Sequence, residues 1–407
     1  MTVRGTTRYA DLTLVPDGEG FIIGSPHAAD FLAVPKVGGL VVRWLQEGHD
    51  VDECAAMAEC YAGQSVDITG FLDRLSAEGL LPSAGGAGAS RAASTVAARR
   101  AGQPRGKRLG RLLYGPAGLG LQLGLTVAGL AVLITQPTLR PHYTDAIVTD
   151  IPLASLLIGA SMAVAGGLLH EAAHVVAAAA KGVRSSITIS RRLYTIVYQT
   201  DLTQLWSLPR RDRLLPLSAG MLIDAAVAGL ILLLLASRWQ DAHPLLIDVA
   251  RAIVLLKLSG ILFQAEVFMR TDLYAIFAAV SGCHNLWATK DAVARRLIRR
   301  AGRDDLAHLE AVSRREVRWA TGYLALYVPG VVWATWYFVT FALPTLWTLL
   351  EMSIGAVALH GVSSPLGIAG ALAVGLVVIP TTFVLFGTIR SAARGLRTVL
   401  KPRREEA

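Results

Sequence analysis

His170 and His174 stand four residues apart with Glu171 beside the first, in the run His170-Glu171-Ala172-Ala173-His174. On a helix this spacing puts both imidazoles on one face, about a turn apart, where both can reach one metal ion. Glu171 is offset around the helix and can stand beside that ion to take a proton from an attacking water. Two imidazoles and a carboxylate base in this order are the donor set of zinc-dependent peptide hydrolysis. The expected cofactor is therefore Zn2+, with His170 and His174 as metal ligands and Glu171 as the catalytic residue.

The setting sharpens this reading. The motif lies between the apolar runs "AVAGGLL" and "VVAAAA". Charged groups near the middle of a membrane span cost on the order of 2–3 kcal/mol each and are usually functional. Three ionisable side chains within five residues are hard to explain as core packing. A catalytic zinc also needs a third protein ligand and an open position. Two carboxylates qualify: Asp272, in "FMRTDLYAIF", and Asp224, in "SAGMLIDAAVAGL". Depth in the membrane leaves both open, and each has the alternative role of a polar group bonded to a neighbouring helix. Gln264, Glu266 and Arg270 are candidates to support Asp272 or to line a water path. His142, His243, His284, His308 and His360 fall mostly in connecting segments and are read as non-ligands. Gly166 and Gly167, just before the motif, are read as small-residue packing.

The elements that must position these groups follow from the composition. Of 407 residues, 53% are hydrophobic and only 17% charged, where a soluble domain carries about a quarter charged. Mean hydropathy is +0.48. The charge deficit begins after residue 110. Six spans are expected, at about 112–136, 151–180, 214–236, 246–277, 319–345 and 367–389. The connections alternate in basic content: 137–150 carries only Arg140, whereas 181–213 carries Lys181, Arg184, Arg191, Arg192, Arg210, Arg211 and Arg213. By the positive-inside rule both termini are expected in the cytoplasm of a multi-pass protein of the cell membrane. The net charge of +9 thus reflects membrane topology, with membrane lipid and not nucleic acid as the expected partner. Trp333, Trp336, Tyr337 and Trp347 read as lipid-interface anchors. Cys54, Cys60 and Cys283 are too sparse for a disulfide framework or a cysteine zinc site. The segment "SSITISRRLYTIVYQTDL" after the motif favours a β-hairpin, which can offer an edge strand to an extended substrate.

Residues 1–82 read differently. Alternation around Pro16-Asp17-Gly18 predicts a hairpin over 9–25, and three short helices follow. The first ends near Gly48, and Asp50 and Asp67 are placed to cap the second and third. No apolar signal segment occurs between Met1 and Tyr9, so this part is expected to stay cytoplasmic. The fold class is mainly α: a polytopic helical membrane protein with a small N-terminal α+β winged-helix domain. The expected plan is that domain at 1–82, a basic flexible linker at 83–111, a membrane-embedded domain at 112–389 and a basic tail at 390–407. The linker's Arg and Lys cluster suits a juxtamembrane anchor on anionic lipid.

Two resemblances join these parts. The run "VPKVGGLVVRWLQEGHDVDECAAMAECYAGQSVDITGFLDRLSAEGLL" resembles the PqqD-like domains, or RiPP recognition elements. This implies binding of a precursor peptide's leader as an added strand at a sheet edge. Residues 151–282, through "HEAAH", "LPRRDRLLPLSAG" and "RTDLYAIF", resemble the site-2 protease family of intramembrane zinc metalloproteases, in its peptide zinc metalloprotease branch. That resemblance implies Asp272 as the third zinc ligand. Leu273 stands where the family usually has Gly, Gly220-Met221 replaces a Gly-Pro, and Asp224 stands where an Asn is often found. Together they imply a zinc-dependent metalloendopeptidase that removes the leader of a ribosomally made precursor peptide. The alternatives are regulated intramembrane proteolysis of a membrane-anchored signalling protein, or a catalytically silent peptide-binding scaffold or immunity protein.

Overall fold

The computed structural model describes residues 9–25, 31–81, 106–192, 195–237, 243–266, 271–283 and 286–400. Residues 9–81 form a three-stranded antiparallel sheet followed by three helices. Strands β1 (Thr13–Asp17), β2 (Gly20–Gly24) and β3 (Phe31–Pro35) lie in that order, with Leu14 opposite Ile23 and Phe21 opposite Val34. Helices α1 (Lys36–Glu47), α2 (Val51–Ala62) and α3 (Ile68–Ala77) close over one face. Their ends are where the sequence puts them. Helix α1 stops at Gly48, which takes a left-handed φ of 105° that a side chain would disfavour. Asp50 accepts the Glu53 amide at 2.8 Å and Glu53 reciprocates, a capping box; Asp67 accepts the Gly70 amide at 2.8 Å. Ile23, Val41, Val42, Leu45 and Leu75 make the buried core, and Cys54 lies within it as a free thiol.

Among the described residues, the rest is mainly helical, with one hairpin. In order come α4 (Lys107–Tyr114), α5 (Pro116–Thr135), α6 (Pro152–Ala180), strands β4 (Ser186–Arg192) and β5 (Thr195–Asp201), α7 (Arg210–Ala236), α8 (Pro244–Gln264) and α9 (Asp272–Ser281). Then follow α10 (Leu286–Leu297), α11 (Arg303–Ala311), α12 (Arg314–Tyr337), α13 (Leu343–His360) and α14 (Pro365–Leu400). Helix α7 is the centre, packed against α5, α6, α8 and α9. Its crossing with α5 has no side chain between the backbones: a Cβ on Gly129 would lie 2.5 Å from the Cα of Gly229. Close helix approach therefore falls at Gly129–Gly229. Gly166 and Gly167, expected to serve that purpose, instead border an open cavity.

Among the described residues, five helical segments are long and apolar enough to cross a membrane: Pro116–Thr135, Pro152–Ala180, Arg210–Ala236, Arg314–His360 and Pro365–Phe383. Three boundaries differ from the sequence expectation. The expected fourth span at 246–277 is two helices, α8 and α9, because apolar length does not reveal a break near Ala265. Helix α8 has the length to cross but carries Asp248, Arg251 and Lys257. The fifth expected span lies inside a 47-residue helical run interrupted by a π-helical turn at Phe338–Ala342. Straight, such a run would reach about 70 Å, more than twice the hydrocarbon thickness. Finally, the end of the expected linker is helix α4, seated on α6 where Gly110 leaves no room for a Cβ beside the Val176 carbonyl. Arg108 and Arg111 stay exposed on it. Of the expected lipid anchors, Trp336 and Trp347 are exposed, but the Tyr337 hydroxyl bonds Ser259 on α8 at 2.6 Å.

The N-terminal unit is seated on the helical part through one carboxylate. Asp17, at the end of β1, is buried to 1% side-chain exposure between Arg210 and Arg213. Arg213 is equally buried. It stacks on Trp206 at 4.6 Å and donates its Nε to the Leu208 carbonyl at 2.8 Å. Arg210 fills the space beside Gly18 and Gly282, whose backbones leave no room for further atoms there. Removing one member of a buried charge group leaves the others uncompensated, at a cost of about 3–5 kcal/mol. Asp17→Ala is therefore expected to destabilise by about that amount in chemical unfolding of the purified chain. Asp212→Ala, which breaks an exposed pair with Lys181, should cost under about 1 kcal/mol.

Candidate metal centre

Helix α6 carries the motif, and three other helices and one strand complete its surroundings. The chain folds so that His170 Nε2 lies 2.9 Å and His174 Nε2 3.0 Å from the same Asp272 oxygen, Oδ2. One donor atom from each of the three residues lies within 4.8 Å of the others. Asp272 is the first residue of α9, so its carboxylate sits at the positive end of a helix dipole. Gln264, at the end of α8, holds that turn in place. Its Oε1 accepts the Asp272 amide at 2.9 Å and its carbonyl accepts the Thr271 hydroxyl at 2.7 Å. Leu273 follows in ordinary helix, so no glycine is required there.

The far nitrogen of each imidazole is also held. His174 Nδ1 lies 2.7 Å from the Pro216 carbonyl, which can only accept, so Nδ1 carries the proton. His170 Nδ1 lies 2.7 Å from Asp224 Oδ2 and donates to it in the same way. Both Nε2 atoms then face one carboxylate oxygen, to which a protonated ring donates and beside which a neutral ring offers a lone pair to a shared cation. The two imidazole nitrogens lie 2.9 and 3.0 Å from Asp272 Oδ2, near enough for one ion to be shared by all three groups. Donors at zinc's bond lengths in a tetrahedral arrangement stand about 3.3 Å apart, close to this spacing. The donor set fits zinc, and the carbonyl and carboxylate behind the rings are the supports that orient metal-bound histidines.

Asp224 is thereby placed behind His170 and not beside Asp272. Its second oxygen accepts from Lys257 Nζ, which also donates to the Gly166 carbonyl at 3.0 Å. All of this is buried. Gly220 completes the pocket around His170. A Cβ there would come within 2.4 Å of the imidazole Nε2, so α7 passes flat over the ring.

Glu171 points to the hairpin. Its Oε2 accepts from both the backbone amide and the hydroxyl of Thr200, each at 2.7 Å. The Thr200 amide is thus directed away from β4, and the outer edge of β5 faces the motif. Residues His170, Glu171, His174, Asp272, Thr200 and Arg213 line a cavity of about 370 Å³. Sequence reasoning did not single out Thr200 or Lys257. Thr200 lies 29 residues from Glu171 and carries no local signal; Lys257, a lone charge in "AIVLLKLSGILF", did carry one. Glu266 is not among the cavity's lining residues, and Arg270 and His284 lie outside the described residues. His142, His243 and His308 are engaged locally, with Thr144, Leu245 and Thr289.

Comparison with protein-family models, with curated proteins and with solved structures finds no match for this chain. The class of the site therefore rests on its own geometry. Gly220→Ala would push the His170 ring off its line to Asp272. It is expected to weaken zinc binding by about 10–100-fold, the usual effect of disturbing a ligand's support. Metal titration of the purified protein against a competing chelator measures this.

Proposed function

We propose that this chain is an intramembrane zinc metalloendopeptidase of the site-2 protease type, with His170, His174 and Asp272 as ligands and Glu171 as base. The observation that carries the reading is the convergence of His170 Nε2, His174 Nε2 and Asp272 Oδ2, with the far nitrogen of each ring held by Asp224 or the Pro216 carbonyl. Zinc held there would supply the Lewis acidity that acidifies a water and polarises a scissile carbonyl. Asp224 and the Pro216 carbonyl keep both rings aimed. Thr200 holds Glu171 Oε2, so Oε1, which makes no hydrogen bond among the described residues, is the atom to receive the water's proton. Glu171 then returns that proton to the leaving amine. The edge of β5 beside the cavity suits a substrate bound in extended form.

The same proposal assigns the N-terminal unit as a PqqD-like domain that binds the leader of a ribosomally made precursor peptide. Support comes from its three-strand, three-helix order and from its seat against Arg213, which also lines the metal cavity. Strand β1 leans on the turn at Thr203–Ser207, and the opposite edge, β3, is where a leader strand would pair. We infer a cell-membrane protein with both termini cytoplasmic from the alternating basic content of its connections, with α8 as a sixth crossing beside the five apolar segments.

Zinc content and cleavage of candidate precursor peptides, measured on detergent-solubilised protein, test the assignment. Wild type is expected to hold about one zinc per chain. Glu171→Gln should keep the metal and lose cleavage by about 10²–10⁴-fold. Asp272→Ala should lose metal affinity. A wild-type chain without zinc, or an Asp272→Ala variant that holds it unchanged, would refute the site.

A further inference from the structure

A second cavity, of about 450 Å³, meets the first at the motif. His170, Glu171, Tyr198, Phe263 and Gln264 line both. The two differ in chemistry. The first is the more polar of the two, its wall holding Thr200 and Asp201 of the hairpin, Thr203 of the turn after it and Arg213 of α7 beside Leu202, Leu205 and Trp206. The second runs between α6 and α8 and is walled by Met162, Val164, Ile253, Leu256 and Phe263. Among the described residues, its charged wall groups besides Glu171 and His170 are Asp224 and Lys257, which bond each other, His170 and the Gly166 carbonyl. A charged side chain entering here would compete for groups already engaged, or stay unpaired at high cost. Gly166 and Gly167 keep the wall thin on the α6 side. A Cβ on Gly167 would meet nothing nearer than the Tyr198 ring at 3.8 Å, so the space beside it is open.

A peptide bond presented to His170 and Glu171 has its two neighbouring residues on opposite sides of the motif. One neighbour lies along the polar hairpin side, and the other faces the apolar cavity. We propose that this second cavity is the specificity subsite of the enzyme, taking the large apolar side chain, leucine- or phenylalanine-like, of a residue adjoining the scissile bond. The inference rests on the protease reading above and adds to it the class of residue at the cut.

Hydroxamates test it without the natural substrate, because the hydroxamate binds the metal and carries one side chain beside it. The probes are peptide hydroxamates identical except for that side chain: alanine, leucine, phenylalanine, naphthylalanine or aspartate. Affinities are measured calorimetrically on the full-length detergent-solubilised chain, with zinc content determined in parallel. Affinity should rise at least about 10-fold from alanine to leucine or phenylalanine, as burial of apolar surface requires, with aspartate weakest. Gly167→Leu, which fills the cavity, should flatten that rise while zinc content stays. Leu256→Ala, which widens it, should move the optimum to naphthylalanine, a gain that damage to the fold cannot produce. A zinc-loaded wild type with equal affinity for all members, as expected of a cavity filled by a lipid chain, overturns the subsite alone. So does a Gly167→Leu variant that weakens every member by the same factor. A chain that holds no zinc and binds no hydroxamate overturns the protease reading instead.

Discussion

The imidazole of His170 is the point on which the arrangement depends. One nitrogen faces Asp272 on α9, the other donates to Asp224 on α7, and Gly220 lies flat against the ring. Through Asp224 the contact reaches Lys257 on α8. A single ring thus draws four helices to one place, and each attachment limits the others. The ring cannot turn without breaking a buried bond to a charged group, and α7 cannot approach further without overlapping it. Buried between helices, such bonds are costly to break because the groups left behind lack partners. The geometry of the donors is accordingly a property of the whole bundle and not of one helix.

The features legible in the sequence are those governed by local rules. The four-residue spacing of His170 and His174, the caps at Asp50 and Asp67, the stop at Gly48 and the hairpin after the motif all follow from neighbours in the chain. Asp272 was reachable only because its surroundings resemble a known pattern, since depth alone left Asp224 equally open. The difference between the two lies in which direction each carboxylate faces, and that is set by α7 and α9 meeting at His170. The break between α8 and α9 escaped because apolar length counts residues without showing where a helix ends. Thr200 escaped for the opposite reason: its partner is across space, and threonine in a strand is ordinary. Lys257 is different again. A lone ammonium within an apolar helix is costly unless paired, and that rule would have directed attention to Asp224 as its partner.

The charged groups of this chain divide by surroundings. On the surface, Lys181 and Asp212 remain in water and hold little structure together. The buried groups, Asp17 with its two arginines and Lys257 with Asp224, tie separate elements to each other. Each buried set joins parts distant in sequence, by 193 residues for Asp17 and Arg210 and 33 for Asp224 and Lys257. They define how the pieces sit, where apolar packing alone would allow sliding.

Helix α9 links two of these places. Asp272 is its first residue, and Gly282, against which Arg210 packs, is its C-terminal cap. A ten-residue helix is about 15 Å long and too short to bend, so it acts as a strut between the donor carboxylate and the seat of the N-terminal unit. The length of one short helix thus separates the buried carboxylate beneath the N-terminal sheet from the site inside the bundle.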